Sequence, residues 1–72
     1  MDYAVILVDS ISLGLRIEDL VKKEGLSYKL IPVPRHLSSD CGFCVRILKE
    51  DSERVQKLLQ EHKIEIQAIE PL

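Results

Sequence analysis

At 72 residues, with an apolar fraction of 46% and a charged fraction of 31%, the chain has room for one domain (residues 1–72) and one core, and its composition excludes a disordered segment. Ten Lys and Arg against twelve Asp and Glu leave a net charge of −2, which excludes the basic footprint that nucleic-acid binding needs. A domain this small lies near the limit at which a single core supports folding unaided, so self-association into a homo-oligomer is expected to help.

Met1-Asp2-Tyr3 leads straight into Ala4-Val5-Ile6-Leu7-Val8, a run too short to span a bilayer and without the basic leader of a signal peptide. No membrane association is expected, and the chain is expected to stay in the cytoplasm. Tyr3 to Val8 is apolar on both parities, as suits a central strand that cannot afford a fully solvated face. Ser10 or Ser12 is placed to cap a helix in which Leu13, Ile17, Leu20 and Val21 recur at helical spacing. Gly25 ends it, with Leu26 covering the last turn in a Schellman-type stop. Ser27 to Val33 reads as a second strand, and its prolines, Pro32 and Pro34 just beyond, suit an edge position.

Phe43 to Leu48 is a third strand, with Phe43, Val45 and Ile47 on one face and Cys44 and Arg46 on the other. Asp51 or Ser52 caps a second helix carrying Val55, Leu58, Leu59 and His62 along its apolar stripe, His62 at the edge of that stripe. Ile64, Ile66 and Ala68 alternate with Glu65 and Gln67 in a final strand. Strand, helix, strand, strand, helix, strand is the order of the split βαβ, or ferredoxin-like, sandwich, an α+β fold with a four-stranded antiparallel sheet and both helices on one face. Strands 1 and 3 are expected at its centre. The face without helices is expected to bear Ala4, Ile6 and Val8 and, being left apolar, to invite a partner.

The special chemistry gathers in the connection from Ile31 to Cys44, Ile31-Pro32-Val33-Pro34-Arg35-His36-Leu37-Ser38-Ser39-Asp40-Cys41-Gly42-Phe43-Cys44. Prolines stiffen its entry, Ser38 and Ser39 lie in its polar body, and Gly42 is expected to let the backbone turn tightly beside Cys41. In a reducing compartment a Cys-x-x-Cys pair points to thiol chemistry or metal more than to a structural disulfide. Residues 41 to 44 in extended conformation would hold the two Cα atoms about 10 Å apart, beyond the roughly 7 Å that a disulfide tolerates, and a turn at Gly42 would close that gap. A structural zinc site wants four ligands and the chain offers Cys41, Cys44, His36 and the remote His62, so neither metal nor cofactor is expected. Cys44, inside an apolar strand, reads as a small buried residue. Cys41 reads as the accessible thiol, with Arg35, His36 and Arg46 supplying positive potential that favours a thiolate or persulfide and Asp40 opposing it. His62 reads as helix-end packing.

The run Leu30-Ile31-Pro32-Val33-Pro34-Arg35, then Leu37-Ser38-Ser39, then Cys41-Gly42 resembles a small bacterial family described as selenium/sulfur carrier protein-like, and the resemblance extends from the first strand through the last. It implies a ferredoxin-like α+β fold and a role in carrying sulfur or selenium centred on Cys41. The role of Cys44 rests on this sequence alone. The resulting expectation is a carrier more than an enzyme. Cys41 accepts sulfur or selenium from a donor protein as a persulfide or selenosulfide and delivers it to an acceptor enzyme, with Arg35, His36, Ser38, Ser39, Gly42 and Arg46 as its binding surroundings. Two rivals stand beside it: an interaction or regulatory module that associates through the open sheet face, and a dithiol redox protein that uses Cys41 and Cys44 together.

Overall fold

The computed structural model describes residues 2–39 and 41–72. The elements follow in the expected order: β1 (Tyr3–Leu7), α1 (Ile11–Lys23), β2 (Tyr28–Pro32), β3 (Phe43–Leu48), α2 (Ser52–Glu61) and β4 (Ala68–Pro71). The sheet runs β2-β3-β1-β4 with every neighbour antiparallel, which puts β3 and β1 at the centre and makes this the α+β ferredoxin-like arrangement. Pro32 stands in β2, an edge strand, where a missing backbone donor disturbs no second neighbour. No helix is long and apolar enough to cross a membrane among the described residues.

Local chemistry sets where the helices start and stop. Ser10, rather than Ser12, caps α1: its backbone is extended and its hydroxyl accepts the Leu13 N–H at 3.3 Å. Gly25, at φ 72°, closes the helix as expected, with the Leu26 N–H on Val21 O and the Gly25 N–H on Lys22 O. α2 starts differently from expectation. Neither Asp51 nor Ser52 caps it through a side chain; a 3-10 turn, Lys49–Asp51, runs directly into it, and the Ser52 N–H bonds to Lys49 O. Its stop repeats the first one with Lys63 in glycine's place at φ 55°, the Lys63 N–H on Gln60 O and the Ile64 N–H on Leu59 O. That stop takes up Ile64, so the last strand begins at Ala68 instead of Ile64, and Ile64 is buried as the apolar residue that covers the helix end. His62 lies exposed at the C-cap instead of packing.

Both helices cover one face of the sheet. Ile17 and Val21 of α1 and Val55 and Leu59 of α2 join Ala4, Ile6, Val8, Val45 and Ile47 in a single buried cluster. Ala4, Ile6 and Val8 therefore face the helices, and the expected assignment of the two faces of β1 is reversed. The other face carries Val5, Leu7 and Cys44, and it is not open at its centre: Ile31, Val33, Leu37 and Ala68 pack against these three residues. Val5 and Cys44 are 0% exposed and Leu7 5%. The cover is the chain's own β2–β3 connection, whose Val33 and Leu37 lie over the sheet where two helices on the far side cannot reach.

Candidate functional site

The β2–β3 connection leaves the sheet after Pro32 and is fixed at three places. Pro34 O accepts the Leu37 N–H at 3.0 Å, closing a turn with Arg35 and His36 at its tip, both exposed. Ser39 Oγ donates to Val8 O at 2.7 Å, tying the loop to the residue that follows β1. The Val33 N–H donates to Gly42 O at 3.0 Å, extending the β2–β3 ladder one step past the strands. The chain bends at Cys41 and Gly42, but Gly42 takes no left-handed φ and a Cβ there would meet nothing within 4 Å, so the bend does not depend on glycine.

Cys41 lies between the last two ties. Its backbone N–H donates to Ser39 Oγ at 3.3 Å, its side chain is partly exposed, and it packs against the rim of the helix-side core. Cys44 is buried in the other cluster, its Sγ 4.0 Å from Pro32 O, at the outer limit of a thiol donor. Burial pushes the Cys44 thiol above the ordinary range, and the nearby Cys41 adds to the rise by charge repulsion. The two cysteines thus contact different sides of the sheet. Both thiols are free.

The remaining candidates divide. Ser39 meets Cys41 directly, and Gly42 adjoins it. Arg35, His36 and Ser38 are exposed on the loop, and His36, Ser38 and Ser39 line an open groove with Leu7, Leu37, Gln67, Ala68 and Glu70. Arg46 shares the Cys44 side of β3, and its guanidinium stacks over the Tyr3 ring, 4.1 Å from the centroid. Tyr3 is the diagonal cross-strand neighbour of Arg46, since Arg46 pairs with Val5. The arrangement engages Arg46 away from the Cys41 packing site. Asp40 lies outside the described residues. Among the described residues, no three His, Cys, Asp or Glu side chains come together in a way that would hold a metal ion. Ser39 was expected among the binding surroundings of Cys41; its long-range bond to Val8 is the part that carries no sequence signal.

Comparison with known families matches residues 2–71 to the one described as "Putative Se/S carrier protein-like". No curated protein matches the chain, and no solved structure does.

Proposed function

Since the chain belongs to the Se/S carrier protein-like family across residues 2–71, we propose that it carries sulfur or selenium on Cys41. The Cys41 thiolate attacks the outer sulfur of a donor protein's persulfide, the donor's S–S bond breaks, and the donor leaves as a thiolate. Cys41 is left with a persulfide, or with a selenosulfide where the cargo is selenium, and attack by an acceptor enzyme on that outer atom returns the Cys41 thiolate. On this reading the carrier works in the cytoplasm, where free thiols stay reduced. What supports Cys41 as the carrier is its setting: it is the partly exposed thiol, held at its backbone, while Cys44 is fully buried with its ionisation suppressed. Arg35 and His36, exposed on the same connection, are available to meet anionic cargo or an acidic partner surface.

Intact-mass spectrometry after incubation with a cysteine desulfurase and cysteine tests the proposal. Wild type and Cys44→Ser are expected to gain the mass of one sulfur, and Cys41→Ser none. A requirement for both cysteines would favour the dithiol chemistry instead. Wild type that stays unmodified with several competent donors overturns the carrier and leaves an interaction module.

A further inference from the structure

Cys41 is bracketed by two fixed points of unequal kind. On its C-terminal side Gly42 is held through its carbonyl by the Val33 N–H at 3.0 Å, a backbone bond that side-chain substitution leaves in place. On its N-terminal side the tie is one hydroxyl. Ser39 Oγ accepts the Cys41 N–H at 3.3 Å and donates its own proton to Val8 O at 2.7 Å, the usual length of a good O–H···O bond. Val8, 1% exposed, belongs to the helix-side core, so the far end of this tie is anchored in the rigid part of the molecule.

We infer that Ser39 is the positioning residue of the site, its hydroxyl pinning the backbone of Cys41 to the exit of β1 so that the thiol meets an incoming persulfide in one arrangement. The inference rests on the carrier reading, because a displacement at sulfur needs attacking atom, central atom and leaving atom near one line, and a thiol on an untethered loop end reaches that geometry rarely. A hydroxyl suits the place because one atom must accept and donate at once, which neither an ammonium nor an alkyl group does. Ser39→Ala removes both bonds together and frees the side of Cys41 that has no strand pairing.

Three variants separate positioning from general loosening. Ser39→Ala is expected to load sulfur about tenfold or more slowly, the cost of a modest misplacement, while Ser39→Thr, which keeps the hydroxyl, recovers most of the rate. Leu37→Ala loosens the same connection by removing its packing on the other sheet face, and is expected to lower the thermal midpoint while loading at close to the wild-type rate. Ser39→Ala that loads as fast as wild type overturns the inference, as does a Leu37→Ala variant slowed to the same degree at equal loss of stability. Alkylation of Cys41 with a small probe gives a readout independent of cargo. A rate shifted by Ser39→Ala and restored by Ser39→Thr, in a protein that never loads, supports the positioning role and overturns the carrier; a rate unchanged across the series overturns the positioning role.

Discussion

Cys44 has no exposed surface, and its thiol is held above the ordinary range first by burial and then by Cys41. Thiolate fraction and access both set reactivity, and at Cys44 both are low. In the folded protein, peptide mapping after brief alkylation is expected to find Cys41 modified well before Cys44; equal rates would remove the basis for choosing Cys41. Cys41→Ser should leave the fold nearly unchanged, whereas Cys44→Ser should cost about 1–2 kcal/mol, since a hydroxyl with shorter bonds than sulfur falls short of Pro32 O and is buried without a partner. Burial also gives Cys44 a pH signature. Its folded pKa lies above its unfolded one, so its contribution to stability is complete below the ordinary thiol range and is lost as pH rises through the folded value, because the unfolded thiol releases its proton first. Denaturation midpoints measured from about pH 7 to about pH 10 should therefore fall more steeply for wild type than for Cys44→Ala. Parallel curves would show that Cys44 titrates alike in both states.

The two helices stop by the same device, and the difference between the stops lies in one side chain. Gly25 adopts its left-handed φ at no steric cost, and Lys63 adopts a φ of 55° with a Cβ. Lys63→Gly is expected to stabilise the protein by about 1 kcal/mol and Gly25→Ala to destabilise it by about the same amount, as read from urea midpoints. Inside α1 the sign reverses: a Cβ on Gly14 would meet Leu30, Val8 and Val45 at 3.6–3.9 Å, ordinary contact, so Gly14→Ala should gain about 0.5–1 kcal/mol. Element order, strand order and the first helix stop were legible in the sequence, because they depend on local period and on punctuation such as Gly25 and Pro32. The start of β4 was not. Ile64 and Ile66 alternate with polar residues as a strand does, yet Ile64 serves the end of α2, and a lysine in a left-handed stop leaves no mark that sequence reasoning reads.

At the scale of the molecule, the loop does what a third layer would do. The faces of β1 were misassigned because Tyr3 to Val8 is apolar on both parities, and the pattern gives no preference when both faces are buried. What buries the second face is a long-range event, Val33 and Leu37 folding back over Leu7 and Cys44, which no local period announces. For the site, Cys41 and its neighbours could be picked from loop composition, while the placement of Arg46 on Tyr3 depends on cross-strand register. Leu37→Asp is expected to lift the cover, so that Cys44 gains alkylation, the protein binds a hydrophobic dye and light scattering reports self-association through the exposed face. A variant with unchanged light scattering and Cys44 still protected would show that Leu37 is not the cover.

The bond from Ser39 to Val8 spans 31 positions of sequence, and β1, from whose end it is received, pairs in the sheet with β3 and β4. Both partners of β1 lie beyond Cys41 in the chain, so the pairing of the first strand, like the tether, rests on contacts of high sequence separation. A chain in which β1 has not yet paired has both thiols and no tether on Cys41, so on the proposed carrier reading the finished sheet is what prepares the thiol.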